Sequence, residues 1–317
     1  MSDSETVLSL IADAASGVPE PVKKSFYKVF SDLLGALAEI PTAKLKQYTK
    51  SIEETTATRS QIAGVLRQAA VDEVSRDPDL AKIAADVYFP STIRKAKNRL
   101  RVAQAAAEHL GSASIEDGGE KTAPPDDDWM NNFMRFADDA SSDRLQDLFG
   151  RILTGQILRP GAFGLATLRI VSELDQELAN DFTHAWTLSV GEAVDYSPDW
   201  QRGDGFSRWK RLVEAGLMAS SDTRQYLPPF RAFTNNSALW APISVDGLSL
   251  MVYFIDGSSS SWDHIDFTRV GREIGLLLPK PDYKKNIVNA GLRLSKHGVT
   301  KIDLVSSQGA EVVWQGV

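Results

Sequence analysis

Apolar positions at spacings of three and four dominate the first two thirds of the chain, and a period of two takes over only near its end. Phe26, Val29, Phe30, Leu33, Leu34 and Leu37 form one apolar stripe, with Pro19 and Pro21 before it and Pro41 after it. Proline suits the first turn of a helix and the residues just past its last, so this spacing predicts a bounded helix. From Thr42 to Arg76 the candidate inward positions are Leu45, Tyr48, Ile52, Ile62, Val65, Leu66, Ala69 and Val74. The threonine-rich centre, Glu54 to Thr58, leaves either one bent helix or two. A further helix is predicted from Pro78 to about Leu110. No heptad persists for three or four repeats, which favours packed helices over an extended coiled coil.

The period disappears in GSASIEDGGEKTAPPDDD, residues 111–128, where glycines, a Pro-Pro pair and six acids replace it. Such a stretch reads as an acidic linker. Beyond it, Ser141 or Ser142 is placed to cap a helix with Leu145, Leu148, Phe149, Ile152, Leu153 and Ile157 inward, ended by Pro160 and Gly161. Leu165 to Leu174 predicts a second short helix, and Asp175 caps a third carrying Leu178, Phe182 and Trp186. Together these make a helical bundle over 129–190.

After Val190 a helix over 204–218, ended at Gly216, leads to alternating segments at Ala238–Val245 and Leu248–Asp256. Asp246-Gly247 between them is a strong hairpin signal. The serine run 258–261 predicts a flexible loop, Thr268 caps a helix through Leu278, and Asp282 caps one reaching His297. Thr300–Ser306 and Glu311–Gln315 predict two closing strands. The expected fold is mainly α with a C-terminal α+β part: a helical region over 1–110, the linker 111–128, the bundle 129–190 and an α+β part over 191–317. A helix followed by a ribbon gives this last part a winged-helix-like layout.

Composition narrows the functional classes. The 317 residues carry a net charge of -7, which argues against whole-chain attraction to phosphate backbones. The absence of cysteine removes disulfide frameworks, thiolate nucleophiles and cysteine-ligated metal sites. The start lacks the basic segment of a secretory signal, and no apolar run approaches the 18 or so residues of a membrane span. Cytoplasmic location, no membrane span and no cofactor are expected.

One stretch carries a family likeness. Residues 129–182, through Trp129, Phe136, Ala137, Ser141, Leu145, Gln146, Phe149, Ile152, Leu153, Gly155, Pro160, Gly161, Phe163, Leu168 and Phe182, resemble the core of an uncharacterised bacterial family, domain of unknown function 2806. RLVEAGLM (211–218) and DFTRVGREIGLLL (266–278) resemble pieces of its C-terminal half, with Ile274 where leucine is usual. The likeness leaves 1–110 unassigned and implies no catalytic residue. An N-terminal helical region ahead of such a block is similar in layout to bacterial abortive-infection proteins, which implies phage defence.

The candidate chemistry is sparse. His109, His184, His264 and His297 lack metal-ligand spacing, and no Gly-x-Ser-x-Gly elbow occurs. Gly155 to Gly164 has the glycines of a phosphate loop but no Walker lysine, and fits a helix stop and turn. Asp282-Tyr283-Lys284, with Asp263 and Asp266 upstream, has the letters of a metal-dependent nuclease but opens a helix where a strand is needed. The seven tryptophans read as core anchors. The strongest binding signal is Arg94, Lys95, Lys97, Arg99 and Arg101: five cations without an acid in the eleven residues from Ser91. Arg94, Lys97 and Arg101 share a helix face. That set suits a solvated face, a protein partner or self-docking, or the phosphates of nucleic acid. The leading expectation is a non-enzymatic interaction or regulatory protein of bacteria in phage defence that assembles with itself or a partner. Nucleic-acid binding through the basic helix is the alternative, and a nuclease comes third.

Overall fold

The computed structural model describes residues 16, 18, 20–34, 89–113, 124–228, 238–255 and 257–316. The helical pattern over 42–76, the start of the helix expected from Pro78 and the middle of the acidic linker lie outside the described residues. The chain divides into two compact units, 1–172 and 173–317. That division falls inside the helical stretch 129–190.

The first unit is helical. It contains α1 (Glu20–Leu34), α2 (Phe89–Ser112), α3 (Asp127–Asp139), α4 (Asp143–Leu158) and all but the last residue of α5 (Leu165–Glu173). The predicted stripe of α1 is its buried side: Val22, Phe26, Val29, Phe30 and Leu33 are closed off from solvent, and the helix packs on α2, α3 and α4. α3 adds Trp129 and Phe133, stacked with ring centroids 5.0 Å apart, and Phe133 meets Phe149 of α4 edge-on at 5.8 Å. The closest approach is α2 on α4. A Cβ at Gly150 would stand 2.6 Å from the Cβ of Ala105 and 2.9 Å from the backbone nitrogen of Ala106. Only glycine permits that spacing, and Thr154 Oγ1 seals it by donating to the Ala106 carbonyl at 3.1 Å.

Capping sets the ends of these helices. Asp126, from the acidic run, accepts from Trp129 N at 2.8 Å, while Asp127 and Asp128 occupy the first turn of α3, where the helix dipole favours negative charge. Ser142 caps α4.

The second unit contains α6 (Gln176–Thr187), β1 (Ala193–Asp195), a 3-10 turn (Pro198–Trp200), α7 (Gly203–Glu214), β2 (Thr223–Tyr226), β3 (Ala238–Val245), β4 (Leu248–Phe254) and β5 (Ser261–Asp266). It closes with α8 (Arg269–Gly275), α9 (Tyr283–Arg293), β6 (Val299–Ser306) and β7 (Gly309–Gln315). Two antiparallel sheets form, ordered β1-β5-β2 and β3-β4-β6-β7. The helical and C-terminal α+β character expected from the sequence is therefore present.

The β3–β4 hairpin turns on Asp246 and Gly247, both at positive φ (56° and 72°), as a tight primed turn requires. Its alternation, with a register shift between Trp240 and Ile243, buries Trp240, Ile243, Leu250, Val252 and Phe254 with Ile302 and Leu304 of β6 and Ile287 and Ala290 of α9. Because β6 supplies that partner, the hairpin belongs to the four-stranded sheet. The strands that flank α7 in sequence, β1 and β2, pair with β5 in the separate three-stranded sheet. The serine run is a loop over 258–260, as expected, and ends as Ser261 opens β5; Ser258 Oγ donates to Gly298 O at 2.7 Å and Ser260 Oγ to Ser295 O at 3.1 Å. α9 stops four residues short of His297, because Lys296 Nζ takes over the carbonyls of Gly291 (2.7 Å) and Leu294 (2.8 Å).

Candidate functional site

α2 holds the predicted basic set and sorts it by helical phase. Its inward side carries Asn98, Val102, Ala103, Ala106 and Leu110, all buried. Arg94, Lys95, Lys97 and Arg101 are exposed, and among the described residues none of them meets a carboxylate. Arg101 Nη1 donates to Gln104 Oε1 at 3.2 Å, and Gln104 passes the chain to Glu108 at 3.0 Å.

Arg99 has a different task. Its guanidinium forms a two-pronged pair with the Asp138 carboxylate of α3, Nη2 lying 3.0 Å from Oδ2. Asn98 Nδ2 donates to the Asp138 carbonyl at 2.7 Å. Both residues therefore fasten α2 to the end of α3. The basic set is four outward cations and one structural arginine.

The helix of the winged-helix-like layout in the second unit, α7, spends its cations differently again. Arg208 Nε donates to Asp181 Oδ1 at 2.9 Å, and Arg211 Nη2 lies 2.6 Å from Oδ2 of the same buried carboxylate on α6. Of the three cations on α7, Arg208, Lys210 and Arg211, only Lys210 is left exposed without a carboxylate partner among the described residues. Outward on this helix stands Phe206, 40% exposed and edge-on to Trp209 at 6.0 Å. On β2, Tyr226 is 68% exposed, and Arg224 grips Asp263 of β5 through two bonds of 2.7 Å. These bonds hold the Asp263 carboxyl below its usual range.

The remaining candidate chemistry is dispersed. Asp282 caps α9 by accepting from Lys285 N at 3.0 Å, Lys284 pairs with Glu311 at 2.6 Å, and Asp266 accepts from Thr223 at 3.0 Å. With Asp263 held by Arg224, each group of the nuclease-like set has a separate structural partner. The glycines of 155–164 serve packing and a turn: Gly155 abuts the Phe163 ring, and Gly161 takes φ +89°.

The histidines are equally scattered. His109 lies 2.7 Å from Asp147 between α2 and α4, and His297 lies 3.5 Å from Ser259. His264 stacks on Trp262 with centroids 4.1 Å apart. Burial, then the Arg208 guanidinium, holds the His184 imidazole below its usual range. Among the described residues no three His, Asp or Glu side chains group as a metal site. A cleft of about 430 Å³ opens between the β3–β4 and β6–β7 turns, lined by Asp246, Lys284, Ser306, Gln308 and Glu311. Its two best-placed charges, Lys284 and Glu311, neutralise each other.

One polar centre went unforeseen. Asp195 of β1 accepts from Trp262 Nε1 at 3.0 Å and from the Arg293 guanidinium of α9. Burial pushes its carboxyl up, against the pull of Arg293 and Trp262. Nothing in the sequence joins positions 195, 262 and 293, because a three-residue strand carries no periodic signal.

Residues 92–200 match the model of a family described as "Protein of unknown function (DUF2806)". The match bears out the resemblance seen in residues 129–182 and corrects its lower limit, since it begins at Thr92 and takes in the basic stretch. The segments 211–218 and 266–278 lie outside the matched residues. No curated protein and no solved structure matches the chain.

Proposed function

We propose that this chain, carrying a segment of a family to which no activity is attached, is a non-enzymatic interaction protein of bacteria that works in phage defence. The reading includes a winged-helix-like part, carried not by the 238–256 ribbon expected from the sequence, which lies in the four-stranded sheet, but by α6-β1-α7-β2-β5. Its support is the run of helix, strand, helix and two strands with the last strand placed between the other two. The residues between β2 and β5 replace the tip of the ribbon and contain the β3–β4 hairpin.

The observation that carries the reading is the disposition of α7. Arg208 and Arg211, which a DNA reader would present to phosphates or bases, are turned onto Asp181. Among the polar residues that α7 and β2 expose stand two aromatic side chains, Phe206 and Tyr226, and exposed aromatic side chains supply the buried anchors of protein–protein contacts. The part in phage defence rests on the layout shared with abortive-infection proteins.

The test is a comparison of the full chain with its Phe206→Ala/Tyr226→Ala variant, by pull-down from the host and by light scattering after gel filtration. The wild type is expected to retain a partner or form an oligomer that the variant loses while keeping its fold. A strictly monomeric wild type that retains nothing, or a variant that retains everything, would overturn the proposal.

A further inference from the structure

We propose that the outward face of α2, formed by Arg94, Lys95, Lys97 and Arg101, binds the phosphate backbone of nucleic acid without regard to base sequence. This goes beyond the partner-binding reading and does not depend on it.

The first ground is where the charges of this protein go. Acids outnumber Lys and Arg by 42 to 35, and cation after cation in the described residues is held by a carboxylate: Lys28, Arg99, Arg151, Arg208, Arg224 and Arg293 are examples. In that company four neighbouring cations on one helix, without a carboxylate among the described residues, stand out. Like charges held within a few ångströms of one another repel, and an external polyanion relieves that repulsion.

The second ground is geometry. Arg94, Lys97 and Arg101 follow one another at three and four residues, so their Cα atoms climb the helix by about 4.5 Å and then about 6 Å along one line. Lys95 flanks that line at its start. Long cationic side chains on such a ridge reach successive phosphates and release their counterions. The ridge ends where Gln104 and Glu108 bond each other.

The third ground separates backbone contact from base reading. Amide side chains read adenine edges, but Asn98 faces inward and donates to the Asp138 carbonyl, and Gln104 is held between Arg101 and Glu108. With both amides engaged no side chain of this stretch is left to read adenine, and cations spaced along a single ridge suit successive phosphates better than base edges, which favours contact that positions the duplex. An acidic protein segment is disfavoured because, among the described residues, the face offers one exposed apolar group, Ile93, and no aromatic anchor.

The experiment uses the full chain and a fluorescently labelled mixed-sequence DNA duplex, with binding read by anisotropy over a range of salt. The expected slope of log K against log salt is about -3.6, four phosphates at roughly 0.9 each. Arg94→Glu/Lys97→Glu/Arg101→Glu is expected to lose binding at least about tenfold and flatten the slope, whereas Lys285→Glu, an exposed cation on α9, leaves both unchanged. A second duplex of unrelated sequence is expected to bind within about threefold of the first. Poly-glutamate at equal charge is expected to compete poorly. No binding at low salt, an unaffected triple variant with native circular dichroism, a strong sequence preference or full competition by poly-glutamate would each overturn the proposal. None of these outcomes bears on Phe206 and Tyr226, so the partner-binding reading stands or falls separately.

Discussion

Arg94 and Arg99 lie five residues apart on one helix and have opposite physical roles. Arg99 neutralises the carboxylate of Asp138, a residue only 9% exposed, whereas Arg94 faces water. Removing the first strands a buried acceptor; removing the second strands nothing. Arg99→Ala should therefore destabilise the first unit by about 1–2 kcal/mol, the low end for a charged pair because the guanidinium stays partly solvated. Arg94→Ala should stay within about 0.5 kcal/mol of wild type in the same thermal melts. Equal losses for the two would contradict the assignment.

Asp195 yields a prediction in pH. Its folded-state carboxyl titrates above the ordinary value of 3.8, with burial as the leading cause, so the folded chain holds that proton more tightly than the unfolded one. The associated stability is fully present below the ordinary value and is lost as pH rises through the raised one. Asp195→Asn should remove that downward slope from denaturant midpoints measured on the acid side. An unchanged slope would show that Arg293 and Trp262 cancel the effect of burial, and a steeper downward slope that they outweigh it.

At the scale of elements, the β3–β4 hairpin is where local chemistry and tertiary packing agree best. Asp246 and Gly247 both sit at positive φ, and open space surrounds the Gly247 Cα where a side chain would project. The cost of Gly247→Val is then conformational, about 1–2 kcal/mol for a branched residue in the left-handed region, and should appear in chemical denaturation of the second unit. A neutral outcome would mean that the turn rearranges.

Elements with strong local signals were legible in this way. Ser142, Asp175, Thr268 and Asp282 cap the helices that their positions predicted, and β3, β4, β6 and β7 fall where alternation placed them. The three-stranded sheet was not legible. Its strands have three, four and six residues, and Ala193 pairs with Asp266 across 73 positions of chain. Too few residues alternate to register as a pattern, and the pairing is created by the fold around them.

For the molecule as a whole, the second unit has a core closed within itself, from Val190 through Leu304, with sheet and helix contributing to one cluster. Residues 173–317 expressed alone should therefore unfold in a single cooperative transition by heat, with near-ultraviolet dichroism showing fixed tryptophans. A fragment lacking both would mean that this core needs the rest of the chain.

The candidate surfaces divide along the same line as the fold. Composition and spacing alone determined that the chain is mainly helical with a mixed C-terminal part and that a cationic stretch lies at 94–101, because periodicity, caps and like-charge runs are properties of neighbouring residues. Which of those cations face water, and that Arg208 and Arg211 turn onto Asp181, was decided only by tertiary structure. A salt bridge between distant helices depends on where two backbones are brought together, and no local pattern encodes that meeting.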